Sequence, residues 1–254
     1  MYRWGMMKYK LGLFDDPYRY CDEKRAKTVI GSAANHAKAR EIAAKSFVLW
    51  KNENQVLPLK KTGTVAVIGP LANSGPNMPG TWSVSAELDK TASLVEGMKA
   101  VLGNKVNILT HLGSNLLEDP IYQNHATMFG RTIARDSRKE EEIIADAVKV
   151  AQQSDVVVAA LGESSEMSGE SSSRSELDIP KNQQNLLKAL LATGKPVVLV
   201  LFTGRPLTLT WEDAHVPAIL NVWFGGTETG KAVADVLFGD VVPSGKITAT
   251  FPRN

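Results

Sequence analysis

The sequence predicts a doubly wound α/β domain, a mostly parallel sheet with helices on both faces. Three observations predict it. Five short apolar runs recur along the chain, helix-period segments separate them, and no internal repeat or low-complexity tract interrupts the alternation. The runs are Thr64–Gly69, Lys105–Thr110, Asp155–Gly162, Pro196–Phe202 and Ala218–Phe224. Each is rich in β-branched residues, continuously apolar and bounded by Gly, Pro or polar residues, as expected of a strand covered on both faces. Alternating strands and helices place such strands in a parallel sheet.

The segments between them carry helix signals. Arg138–Gln153 puts Ile143, Ile144, Ala147, Val148 and Ala151 on one face, and Ser137 with Glu140 reads as a capping box at its start. Pro180–Thr193 has proline in its first turn, aligns Leu186, Leu187, Leu190 and Leu191, and stops at Gly194. Glu228–Phe238 carries Ala232, Val233, Val236 and Leu237 and ends at Gly239. Lys246–Phe251, after the Pro243–Gly245 turn, is a candidate for one last strand, antiparallel at an edge. The first 31 residues are aromatic, basic and broken by Gly12, Asp15, Asp16 and Pro17, which reads as a connector or leader; the α/β domain is expected over residues 32–254. Both ends of the sequence read as cuts.

Composition narrows the function classes. With 254 residues, 43% of them hydrophobic, the chain can bury a substantial core. A formal charge of +2 supplies no field able to neutralise many phosphates, which argues against nucleic acid as a partner. Cys21 is the only cysteine, so neither an internal disulfide framework nor a cysteine-based zinc site is expected. The apolar stretches are strand-sized, and no membrane span is expected. Residues 1–18 lack the apolar core and small-residue cleavage site of a signal peptide, which fits a cytosolic protein or, as preferred here, a natural N-terminus lying upstream.

Three loops fall where an open α/β sheet binds ligands, beyond the carboxyl ends of strands. Gly69–Gly75 matches neither G-x-G-x-x-G nor a phosphate-cradling lysine loop, so it reads as a strand-ending turn and disfavours nucleotide binding. Glu163–Glu176 is long, rich in Ser and Gly, and contains Glu163, Glu166, Glu170 and Glu176 together with Arg174. By residue chemistry it is either a solvated surface loop or a mobile polar loop able to present a carboxylic acid. Trp82, on the glycine-flanked segment Pro79–Ser83, either stacks on a sugar face or packs onto its own loop. His36, His111, His125 and His215 have no partners at metal-ligand spacing, and no G-x-S-x-G elbow occurs.

With those residues in place, the chain resembles the second domain of glycoside hydrolase family 3, most closely its bacterial periplasmic β-glucosidase branch. The matching segments, in order, are Gly12–Tyr18 (GLFDDPY), Ala39–Leu59, Val65–Asn73 (VAVIGPLAN), Gly80–Ser83 (GTWS), Ser154–Glu163, Thr193–Leu201, Gly204–Leu207 (GRPL) and Ala234–Arg253. The resemblance implies a flavodoxin-like sandwich and a parent protein that hydrolyses terminal non-reducing β-glucosides with retention. It places Glu170, followed by Ser172, Ser173 and Arg174, on the catalytic acid/base position. Glu163 is the runner-up, or an anchor that binds backbone amides, while Glu166 and Glu176 are expected to be solvated. Trp82 is expected to help bind substrate. The family's nucleophile is an Asp on a preceding barrel domain, which becomes the implied partner of this chain; no cofactor or metal is implied. The location implied is periplasmic or secreted. Ala86 stands where some members carry a second aromatic. A non-catalytic sugar-binding or scaffolding module is the alternative reading. Without its barrel, Ser164–Ser175 is expected to be mobile, with Glu170 exposed.

Overall fold

A computed structural model describes residues 2–253, which divide into two units, one up to Lys38 and one from Ala39 onward. In the first unit, two short helices, α1 (Tyr2–Lys10) and α2 (Glu23–Val29), bury none of their residues. Asp22 caps α2 by accepting from the backbone N–H groups of Lys24 and Arg25. Helix α3 (Ala33–Ser46) runs across the division between the units and buries Ala43 and Ala44 in the second.

The second unit holds a six-stranded sheet. Its strands are β1 (Val48–Asn52), β2 (Thr64–Ile68), β3 (Asn107–His111), β4 (Val156–Gly162), β5 (Val197–Phe202) and β6 (Ala218–Asn221), in the order β1-β6-β5-β4-β2-β3. The five strands foreseen in the sequence are mutually parallel, and their order is the flavodoxin-like one. The antiparallel edge is β1, paired with β6, and not Lys246–Phe251 as expected. With β1 filling that edge, residues 246–251 form no strand, and Phe251 packs instead against Trp50 at a ring-centroid distance of 4.3 Å. A register shift between Leu49 and Lys51 breaks the alternation of β1 and hides it from a pattern search.

Successive strand residues point to opposite faces, and two cores result. Val65, Val67, Val158, Ala160, Val198 and Val200 join Phe47 and the helices α4 (Leu94–Leu102) and α9 (Thr229–Leu237) on one side. Ala66, Ile68, Val157, Ala159, Leu199 and Leu201 join α6 (Glu140–Gln152) and α7 (Lys181–Leu191) on the other. Each fully buried Val, Leu or Phe contributes roughly 1.5–3 kcal/mol, so strands buried on both faces dominate the stabilising side. Two shorter helices, α5 (Pro120–Ala126) and α8 (Thr210–His215), complete the unit.

The expected capping box at Ser137 and Glu140 does not form. Lys139 is the N-cap of α6, and the Glu140 carboxylate accepts from Asn185 Nδ2 at 2.8 Å, tying α6 to α7. The capping box lies instead at α4, between Ser93 and Glu96. Helices α4 and α9 cross at glycines: a Cβ on Gly97 would lie 2.1 Å from the Gly230 carbonyl carbon, and one on Gly230 2.2 Å from the Ser93 oxygen. Gly97→Ala should therefore destabilise the domain by about 1–3 kcal/mol in urea denaturation, despite alanine's better helix propensity. An unchanged midpoint would show that the crossing is looser than described.

Candidate active site

In a parallel sheet of this order, ligands bind where the chain's direction of winding reverses. Here that switch point lies between β2 and β4, whose neighbours β3 and β5 lie to opposite sides. The carboxyl ends of these strands are pressed together. Gly69 has φ +137°, and a Cβ there would sit 2.2 Å from the Ala160 carbonyl oxygen. The loop segments singled out in the sequence follow β2 and β4 and leave the sheet at this rim.

Glu163 directly follows β4 and has no solvent exposure. A buried carboxylate is tolerated only with counter-charges and hydrogen bonds. Its Oε1 accepts from Arg174 Nη1 at 3.0 Å and lies 3.2 Å from Arg205 Nε, while its Oε2 accepts from Thr203 Oγ1 at 2.9 Å. The expected binding to backbone amides is absent among these contacts, because arginine can neutralise the charge as well as donate. The two arginines then gather the loop. Arg174 donates to the Asp178 carbonyl at 2.7 Å, and Arg205 donates to the carbonyl of Met167.

The second anchor corrects another expectation. Glu166, read as solvated, is only 9% exposed and pairs with the buried Arg131 at 3.3 Å. Arg131 also donates to the Gly80 carbonyl at 3.0 Å, and thereby fastens the turn that carries Trp82. Asn77 Oδ1 accepts from both the amide and hydroxyl of Ser165, at 3.0 and 3.1 Å, and its Nδ2 donates to the Arg131 carbonyl at 3.0 Å. Thr81 Oγ1 donates to the Ser165 carbonyl. Three loops are thus sewn together beneath the surface. The first half of the supposedly free loop is a buried 3₁₀ turn, Ser165–Ser168, and Ser172 Oγ donates back to the Glu166 carbonyl at 2.8 Å. Arg131 and Asn77 escaped the sequence reading because neither belongs to a local motif.

Glu170 and Glu176 are exposed. Glu170 stands on this foundation, beside Ser171 at φ +61°, and lines two adjoining clefts. One, of about 550 Å³, also contains Trp82 and Phe129. The other, of about 840 Å³, contains Tyr122, His125 and Phe129. Trp82 is 72% exposed, so its ring is not spent on its own loop. The structure therefore brings Glu170 and Trp82 to one cleft and leaves Glu163 sealed beneath it. Of the other carboxylates lining these clefts, Glu166 is bound to Arg131, and Asp119 caps α5 by accepting from Ile121 N at 2.7 Å. Glu118 lines the larger cleft and is exposed, as Glu170 is. In the cleft that contains Trp82 the only acids are Glu166 and Glu170, and of these Glu170 is the one with no ion pair. A different groove, beside α8, is already satisfied internally: His215 stacks on Trp211, Lys188 sits 5.0 Å from the same ring, and burial pushes the Glu212 carboxyl above its ordinary range. Among the described residues, no group of three or more His, Cys, Asp or Glu is placed to hold a metal ion.

The site is thus a flavodoxin-like sheet with an exposed acid on an anchored loop at its switch point. Residues 47–254 match the glycosyl hydrolase family 3 C-terminal domain, and the chain belongs to that family. It is 45% identical over 251 residues to a periplasmic β-glucosidase of Salmonella typhimurium, covering 98% of this chain and 33% of that protein. It is 36% identical to a β-xylosidase of Formosa agariphila, covering 97% of this chain and 32% of the relative. Among solved structures, a β-glucosidase from Listeria innocua in complex with isofagomine superposes with a TM-score of 0.81 at 34% identity, covering 97% of this chain and 31% of that one. The chain thus spans about a third of the length of these relatives.

The anchors make a direct prediction. Glu163→Gln should cost about 3 kcal/mol in chemical denaturation, because it strands two arginines around a neutral amide. Glu170→Gln should change stability by less than about 0.5 kcal/mol, as expected of an exposed position. Equal effects of the two substitutions would contradict the division of labour described here.

Proposed function

We propose that this chain is the acid/base-bearing second domain of a retaining β-glucosidase that releases terminal non-reducing β-glucosyl residues. The observation that carries the proposal is Glu170: an exposed carboxyl group in a cleft shared with Trp82, held on a loop whose neighbouring acids are committed elsewhere. The family relatives named for β-glucosidase activity support the choice of substrate. A periplasmic or secreted location is supported by the Salmonella relative.

Retaining hydrolysis needs two carboxyl groups about 5–5.5 Å apart across the scissile bond. In the proposed reaction an Asp of the preceding barrel domain, outside these 254 residues, attacks the anomeric carbon. The bond from that carbon to the leaving oxygen breaks as Glu170 transfers its proton to the oxygen. Glu170, now a carboxylate, takes a proton from water; the water oxygen attacks the anomeric carbon and expels the Asp. The anchored base of the loop fixes where Glu170 emerges, and its exposed tip leaves the carboxyl group free to meet a substrate held by the partner domain. No cofactor or metal has a role in this scheme.

In the full-length enzyme, Glu170→Ala should slow hydrolysis of poor leaving groups by about 10²–10⁴-fold. It should largely spare aryl glucosides with acidic phenols, and azide should restore turnover by attacking the trapped glycosyl-enzyme. Equal loss on both substrate types without azide rescue would reject Glu170 as the acid. The 254-residue chain alone should show no turnover of p-nitrophenyl β-glucoside, since it supplies the acid without the nucleophile; activity abolished by Glu170→Gln would mean that it holds a complete site.

A further inference from the structure

We infer that the larger cleft beside Glu170 is a binding trough for the distal sugar units of the leaving group, with Phe129 as its specificity-determining wall. The inference rests on the reading of Glu170 as the acid. An acid that protonates the leaving oxygen is in contact with the leaving-group side of the bond, so surface continuous with that acid is where the rest of the leaving group extends.

Phe129 is the observation that singles out this trough. Its backbone has φ +57°, a left-handed conformation that costs a bulky residue of order 1 kcal/mol or more and that glycine adopts freely. The strain brings no burial in return, because the ring is 73% exposed. It is nonetheless held firmly. The next residue but one, Arg131, is buried in its pair with Glu166, and its amide donates back to the Met128 carbonyl at 3.2 Å. Phe129 and Gly130 are the two left-handed positions of a tight turn closed by that bond, so the turn accounts for the backbone. It does not account for an exposed aromatic ring at a position where glycine, asparagine or aspartate is usual, and a bulky residue kept at such a position is characteristic of functional sites.

The ring stands between both clefts, which also share Glu166, Glu170 and Ser171 and are therefore continuous across the acid. Beyond Phe129 the trough is lined by Leu117, Met128, Tyr122 and His125. Tyr122 is 69% exposed. Asp119 caps α5 and Pro120 starts it, so Tyr122 and His125, three residues apart, are neighbours on one helix surface. Exposed aromatic faces rimmed by polar groups complement a sugar ring, with its apolar C–H face and hydroxyl edge. A volume of about 840 Å³ lies near the upper end for ligand sites and leaves room for more than one sugar ring.

The test compares cellobiose, whose leaving group is one sugar, with cellotetraose, whose leaving group is three, in the full-length enzyme carrying Phe129→Gly or Tyr122→Ala. Each variant should lower the ratio of kcat/KM for cellotetraose over cellobiose, Phe129→Gly by about tenfold and mainly through KM. The thermal midpoint of Phe129→Gly should stay level or rise, because glycine relieves the strain. Ratios unchanged in both variants would overturn the trough and leave the Glu170 assignment standing, since that assignment is judged separately by azide rescue. A marked fall in the midpoint of Phe129→Gly would make the ring a structural element and overturn the argument from strain.

Discussion

The candidate site depends on one constraint: a carboxylate placed beyond the end of a buried parallel strand has no water to turn to. Glu163 occupies that position with no exposure, and two arginines and a threonine hydroxyl satisfy it. Because Arg174 belongs to the loop and Arg205 to the connection after β5, neutralising the charge also determines where the loop runs. Glu166 repeats the device on the other side, where Arg131 binds the Trp82 turn. Buried ion pairs are poor sources of net stability but costly to break, which suits them to fixing geometry. The loop's apparent excess of acids is thereby resolved: Glu163 and Glu166 are structural and buried, Glu170 and Glu176 are left on the surface, and of these two Glu170 lines the clefts.

The parallel core was legible because residues buried on both faces leave no polar alternation to obscure it. All five apolar runs became strands, and the helices at residues 140–152, 181–191 and 229–237 fell within a few residues of the expected spans. The edge was less legible. Strand β1 is short, bulged at Trp50 and half exposed, whereas Lys246–Phe251 had the better strand pattern but no free edge to join. The capping boxes show the same limit: Ser137 and Glu140 fit the spacing, yet Glu140 serves Asn185 across helices. At the site, the composition of residues 163–176 located the loop, but not which of its acids are buried. Burial there is decided by Asn77, Arg131 and Arg205, which lie 88, 35 and 42 residues from their partners; Asn77 and Arg131 carry no local signature, and the Gly204–Leu207 segment did not show that Arg205 turns to Glu163.

Under the proposed function, the arrangement also accounts for an acid residing on a domain separate from the nucleophile. The α/β unit folds around its own two cores, and the exposed cleft residues contribute little to them. In that proposal an acid at Glu170 meets a nucleophile presented by another domain without any change to the sheet. Trp82, Phe129 and Tyr122 are similarly peripheral to the cores, so the exposed cleft surface is free to vary while the anchors persist.

The central claim is that a rigid, buried base supports an exposed acid. Native-state hydrogen exchange on the 254-residue chain tests it most directly. The amides of Ser165 and Met167, bonded to Asn77 Oδ1 and to the Ser164 carbonyl, should exchange slowly, with opening energies approaching that of global unfolding, whereas Ser173 should exchange at close to the rate of an open chain. Exchange at Ser165 and Met167 as fast as at Ser173 would mean that the whole segment is loose, and would contradict the account.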